Sequence, residues 1–327
     1  MSRDTNAIAA TLRDYLPGGA AIRAVLPLTT GFSNETYRIE GADWILRMPP
    51  AGGAIVEGHD VLAQARLYAA LGAIEGGPPV PGIVAICEDK NVIGAPFFVM
   101  ECVAGAEVHD TQLPDWFTAP GDDFRRSLSE RWIAQVSQFA ALPPLPLLGD
   151  PASPEQDARA WRAFAEKADC PPLVAAYDRL LSRPAPISGP PSIVHGDVKL
   201  SNFMWHEGEL SAVLDWEMAI NGEPLSDLGY LMIFHEGPFH RASTQLKEPG
   251  MLTRDQVIAM WEQVSGRSSE GLIWHEMAQI AKILCTMAEG TRLWVTGSST
   301  DPKFSYFQKN LDYYLGVLTA MLGSEGL

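Results

Sequence analysis

Between His195 and Glu217 the chain sets a carboxylate, a carboxamide and a second carboxylate at spacings that few folds accommodate. His195-Gly196-Asp197 opens HGDVKLSN, Asn202 closes it, and Asp215 follows in VLDWE. The runs SIVHGD, SNFMW and LSAVLDW read as short strands, the last two joined by the turn His206-Glu207-Gly208-Glu209. Phosphoryl transfer asks for such a set: one acid group that accepts or orients a hydroxyl proton, and hard oxygen donors for magnesium nearby. HGD alone reads equally well as a turn with a capping aspartate. Asn202 and Asp215 at their offsets favour chemistry, with Asp197 serving an acceptor hydroxyl and Asn202 and Asp215 as metal ligands. His195 reads as a packing and hydrogen-bonding scaffold, Asp227 as an anchor of the loop through backbone bonds, and Glu217 as a residue at metal or substrate or, equally, as a cap or support behind them.

The bulk properties allow such a site and exclude other classes. With 327 residues, 46% hydrophobic and 20% charged, the chain has ample material for a buried core split over two lobes. A formal net charge of -16 argues against a surface that gathers phosphate backbones, so no nucleic-acid partner is expected. Cys87, Cys102, Cys170 and Cys285 form no CxxC pair and read as free thiols in a reducing cytoplasm. The opening MSRDTNAIAATLRDYLPGG lacks the unbroken apolar core of a secretion signal, and no segment has the length of a membrane-spanning helix. A soluble cytoplasmic protein with no membrane partner is the expectation.

Along the chain, an amphipathic helix at about 4 to 16 precedes three extended runs, AIRAVLPL, ETYRIEG and DWILRM. Val61, Leu62, Ala65, Tyr68 and Ala69 then recur at helical spacing, and GIVAICED and PFFVMECV add two β-rich runs. A five-stranded antiparallel sheet with one inserted helix follows. From Gly105 helical periodicity dominates, in RWIAQVSQFAAL and PPLVAAYDRLL and at about 254 to 265, 271 to 294 and 304 to 322, with Pro-rich connectors LPPLPLLGDPASP and SRPAPISGPPS. The fold class is α+β, with a boundary near Val103 to Gly105: residues 1–103 form a nucleotide-binding lobe, and 104–327 a larger, mainly α lobe for catalysis and substrate.

HGDVKLSN, VLDWE and EPLSDLGYL together resemble the aminoglycoside phosphotransferase and choline kinase superfamily, the small-molecule relatives of protein kinases. GFSNETY, WILRMPP and FFVMECVAG look most similar to the kinase-like domains fused to acyl-CoA dehydrogenases. The resemblance implies a bilobal protein-kinase-like fold that binds ATP, with GTP as an alternative, and Mg2+, and that phosphorylates a small hydroxylated metabolite. It implies a nucleotide-covering loop at Gly31, Ser33 and Asn34, and a purine-binding hinge at Glu101 and Val103. Kinases usually carry a lysine on the third strand, oriented by a glutamate on the next helix. Here Arg47 and Gln64 stand at those positions. Arginine keeps a charge that grips phosphate, and Gln64 is expected to orient it only through a neutral amide contact. That departure raises the competing reading, a nucleotide-binding pseudokinase without turnover; the intact Asp197, Asn202 and Asp215 favour an enzyme. The acceptor wall is expected in IWHEMAQIAKILCTMAEGTRLW, with Trp274, Glu276 and Arg292 as candidates beside Glu217. A choline-like amine, an aminoglycoside and a hydroxyacyl thioester all remain open as acceptors.

Overall fold

The structure is a computed structural model and describes residues 3–28, 34–50, 60–110 and 112–327. Its strands are β1 (Ala24–Leu28), β2 (Glu35–Glu40), β3 (Trp44–Met48), β4 (Ile83–Cys87), β5 (Phe97–Glu101), β6 (Ala106–Glu107), β7 (Ser192–Val194), β8 (Phe203–His206), β9 (Glu209–Val213) and β10 (Ile220–Gly222). The helices are α1 (Thr5–Tyr15), α2 (Val61–Gly72), α3 (Asp115–Thr118), α4 (Asp122–Phe139), α5 (Pro154–Lys167), α6 (Pro171–Leu180), α7 (Leu225–Phe234), α8 (Arg254–Ser265), α9 (Leu272–Val295) and α10 (Pro302–Ser324). By internal contacts the chain divides into one unit of Met1–Ala106 with Met204–Glu217, and another of Glu107–Phe203 with Met218–Leu327.

In the first unit the expected sheet is present, antiparallel throughout, in the order β1-β2-β3-β5-β4. Ile39, Leu46, Phe97 and Val99 are fully buried in its core, where Leu12 of α1 joins them. Strand β3 is interior, so Arg47 pairs with Thr36 on one side and Phe98 on the other and is itself buried. Helix α2 starts where the Asp60 carboxylate accepts the Leu62 N–H, at 2.8 Å. It buries Val61, Gln64, Ala65, Tyr68 and Leu71, one stripe at helical spacing, against β4 and β5. Gln64 and Tyr68 thus lie one turn apart on the buried face.

In the second unit, α9 packs between α7 and α10. Close approach of α7 to α9 rests on Gly229, where a Cβ would stand 2.9 Å from the His275 carbonyl carbon. The short pair β7 and β10 delivers the chain directly into His195. Gly196 turns that corner at φ +81, and a Cβ there would meet the Met218 carbonyl oxygen at 2.7 Å.

Helices α8, α9 and α10 fall within two residues of their expected bounds. Two others go beyond what periodicity predicts. Helix α5 buries only Pro154, Ala158 and Ala165, a stripe too small to register as apolar, and is held at its start by a capping box between Ser153 and Gln156. Helix α7 is short and buried nearly all round, so it shows no periodic contrast at all.

Candidate active site

Three elements of the second unit converge on the loop after β7. His195 is fully buried, stacked against Phe139 at 6.2 Å and Phe203 at 6.5 Å, and its Nδ1 accepts the Asp197 N–H at 3.2 Å. It is built into the core as a scaffold. From α7, the Asp227 carboxylate accepts the N–H groups of His195 and Gly196, each at 2.8 Å, in the anchoring role expected of it. From α9, Lys282 Nζ donates to the Gly196 carbonyl at 3.1 Å while lying 5.4 Å from the Trp161 ring centroid. Both backbone groups of Gly196 are therefore tied down.

Asp197 emerges from this frame with both carboxylate oxygens engaged. The Tyr230 hydroxyl, one turn beyond Asp227 on α7, donates to Oδ1. Lys199 Nζ lies 3.0 Å from Oδ2, and Asn202 Nδ2 donates to Oδ2 at 2.9 Å and to the Asp197 carbonyl at 2.8 Å. Burial alone would raise the pKa of Asp197, but the Lys199 charge, the hydrogen bonds from Tyr230 and Lys199, and His195 together hold it below the usual carboxylate range. The group is ionised at neutral pH. A carboxylate held in this way is chemically equipped to orient a hydroxyl and to accept its proton.

Lys199 and Tyr230 also line a cavity of about 250 Å³. Trp132, Phe234, Phe239, Phe307 and Tyr314 give it aromatic walls, and Ile283, Thr286 and Met287 of α9 complete one side. Asp110 is the carboxylate among its lining residues; burial pushes its pKa up, Lys199 pulls it down, and Gln245 Nε2 donates to it at 2.8 Å.

The acceptor candidates of α9 lie elsewhere. Trp274 is buried and gives its indole N–H to the Leu180 carbonyl at 3.2 Å, Glu276 pairs with Arg254, and Arg292 pairs with Glu289 at 2.7 Å. None lines the cavity; the helix face towards it carries Ile283 and Met287, which periodicity reads as plain core. Lys199, Tyr230, Lys282 and Asp110 were missed. Lys199 was legible inside HGDVKLSN, and Tyr230 sits three residues after Asp227 on one helix face.

The first unit holds the remaining candidates. Asp215 follows β9 with a left-handed backbone, φ +62, and Glu217 lies in the helical turn Trp216–Met218 just after it. Gly31 and Ser33 lie outside the described residues. Asn34, Arg47 and Gln64 are buried, and among the described residues Asn34 Oδ1, Arg47 Nε and both amide atoms of Gln64 have no hydrogen-bond partner. The expected amide contact from Gln64 to Arg47 is therefore not made. Buried polar atoms without partners are costly and are concentrated at functional sites; a buried guanidinium and a carboxamide with unused donors suit an anionic ligand such as a nucleotide phosphate. Of the residues expected at the hinge, Glu101 gives its N–H to the Gly82 carbonyl at 2.8 Å, and Val103 follows the end of β5.

In the second unit, the Asn202 N–H groups turned to Asp197 leave its carbonyl oxygen, a hard donor of the kind magnesium takes; in the first unit, the Asp215 carboxylate is a donor of the same kind. Among the described residues no three His, Cys, Asp or Glu side chains group into an all-protein cage.

Comparison with known proteins gives the family and the fold. Residues 24–258, well over half of the chain, match the model of the phosphotransferase enzyme family. The chain therefore belongs to that family of phosphotransferases. Among its relatives are acyl-CoA dehydrogenase family member 11 of Rattus norvegicus, 30% identical over 278 residues, or 79% of this chain, and family member 10 of Mus musculus, 31% identical over 236 residues, or 67% of this chain. The chain spans only 35% and 21% of their respective lengths. In fold it is similar to a candidate aminoglycoside phosphotransferase of Ralstonia eutropha JMP134, with TM-score 0.77 and 23% identity over 99% of both chains. It is likewise similar to the ADP-bound aminoglycoside phosphotransferase APH(2'')-Ib, with TM-score 0.60 and 11% identity over 96% of this chain and 99% of that one. The kinase-like α+β fold expected from the sequence is thereby established. No helix among the described residues is long and apolar enough to cross a membrane.

Proposed function

We propose that the chain is a small-molecule kinase that transfers the γ-phosphoryl group of ATP, or of GTP, to a hydroxyl of an apolar metabolite. The observation that carries this reading is Asp197: an ionised carboxylate, fixed by Tyr230, Lys199 and Asn202, two of which also line an aromatic cavity. An acceptor lying in that cavity would turn its hydroxyl to Asp197. Its oxygen attacks the γ-phosphorus, the bond from that phosphorus to the β,γ-bridging oxygen breaks, and the hydroxyl proton passes to the Asp197 carboxylate. Asn202 and Asp215 would hold Mg2+, which supplies charge neutralisation on the phosphates when bound. Arg47, Gln64 and Asn34 would meet the nucleotide, with Gly31 and Ser33 covering it and the backbone of Glu101 and Val103 at the purine.

The cavity bears on the acceptor. An aminoglycoside carries several ammonium groups and needs several carboxylates to receive them, whereas Asp110 here is offset by Lys199. The aromatic walls instead favour a hydroxyl on an uncharged, apolar body. The acyl chain of a hydroxyacyl thioester presents such a body, and the relatives' names point towards acyl thioesters. The test is nucleotide consumption with magnesium against hydroxyacyl thioesters, choline and aminoglycosides. Turnover with the first group is expected; turnover confined to the polycations would overturn this choice of acceptor. The second reading, a nucleotide-binding module without catalysis, draws on the absent contact between Gln64 and Arg47. A nucleotide-induced rise in melting temperature without turnover on any acceptor would favour it.

A further inference from the structure

The absent contact between Arg47 and Gln64 leaves open what ties α2 to the chemistry, and the residue one turn further along that helix answers it. Tyr68 is 1% exposed, and its ring packs against Phe98 of β5 at 6.3 Å between centroids. Its hydroxyl accepts the backbone N–H of Asp215 at 3.0 Å, a contact between residues 147 apart in sequence. Asp215 carries a left-handed backbone, φ +62, a conformation uncommon for residues with a side chain though more accessible to Asp than to most. Bonds within the first unit hold this segment, among them the Val213 N–H to the Pro79 carbonyl at 2.7 Å and the Asp215 N–H to Tyr68. The peptide that aims the Asp215 carboxylate is thus gripped by a side chain on the buried face of α2. Burial, only partly countered by Arg47, pushes the Tyr68 phenol up to about 12, so the grip does not change with pH in any working range.

We propose that Tyr68 is the positioning residue that sets Asp215 for the divalent cation, coupling α2 to the metal ligand in place of a pairing between positions 47 and 64. This rests on the reading of Asp215 as a metal ligand. Tyr68 touches neither metal nor substrate; it acts through the backbone of the residue that does. Removing the hydroxyl frees the Asp215 peptide to relax out of its left-handed conformation, and the carboxylate leaves its preset direction. Groups that orient a metal ligand from behind typically govern metal affinity by about 10- to 100-fold.

The test is Tyr68→Phe, which deletes one oxygen and keeps the packed ring. Mn2+ binding to the full chain with saturating ADP is read from the electron paramagnetic resonance signal of free Mn2+, and ADP binding without metal by calorimetry. The expected result is a rise of about tenfold in the Mn2+ Kd, with the metal-free ADP Kd within about twofold of wild type. Asp215→Asn is measured in parallel. If Asp215→Asn weakens Mn2+ and Tyr68→Phe does not, the positioning role is wrong and the ligand reading stands. If Asp215→Asn leaves Mn2+ binding unchanged, the ligand reading falls and takes the proposal with it. A melting temperature for Tyr68→Phe close to wild type, together with retained ADP binding, separates loss of positioning from loss of fold.

Discussion

Asp227→Asn separates two things that the wild-type residue does at once. Its carboxylate accepts two backbone N–H groups of the catalytic loop, at 2.8 Å each, yet it is buried. Burial pushes its pKa up from 3.8 to about 6, against the pull of those two donors and Lys282 and with a further push from Asp197. A displacement of that size corresponds to about 3 kcal/mol. The sign follows from linkage: between about pH 4 and 6 the folded state binds a proton that the unfolded chain does not. The stabilisation is therefore full below about pH 4 and lost as pH rises through about 6. Asparagine is nearly isosteric, cannot titrate, keeps one acceptor and sets an N–H group against the second backbone donor. Urea unfolding of both proteins across this range should show wild-type stability falling relative to the variant by about 3 kcal/mol from about pH 4 to 7. Turnover of the variant should fall by about tenfold or more at every pH, because one anchor of the loop is gone. A stability difference that is flat with pH would refute the reasoning, since it would mean that burial does not outweigh the two hydrogen bonds.

Three further outcomes follow from the same geometry. Tyr230→Phe removes a donor that holds the Asp197 pKa down, so the acid limb of kcat/KM should move to higher pH, with a loss of about tenfold in rate at neutral pH; an unmoved limb would contradict the role given to Tyr230. Lys282→Met cuts the bond to the Gly196 carbonyl and should lower kcat by about tenfold while leaving the acceptor KM within about threefold, which steady-state kinetics will check. Thr286→Trp should fill the cavity and raise the acceptor KM by at least about tenfold without altering metal-free ADP binding, a split that titration calorimetry and kinetics together resolve.

The sheet was legible because short β-rich runs are punctuated by turns, and Asp197, Asn202 and Asp215 stood out as candidates because loop chemistry is written in short fixed spacings. What stayed hidden depends on contacts between distant segments. Tyr230 and Lys282 reach the loop from helices whose local sequences read as core, and Tyr68 reaches Asp215 across 147 positions. Trp274 and Glu276 attracted attention as an aromatic and an acid on the expected wall, but tertiary packing turned them towards Leu180 and Arg254. The cavity is lined by the residues of α9 that periodicity gives no reason to single out.

The central claim concerns Asp197, and one comparison tests it most directly. Magnesium-dependent transfer of phosphate from ATP to a hydroxyacyl thioester is measured with wild type and Asp197→Ala, alongside ADP binding to each. The account expects turnover to fall by at least about a thousandfold in the variant, with ADP affinity unchanged within about threefold. An Asp197→Ala protein that turns over at the wild-type rate would contradict it.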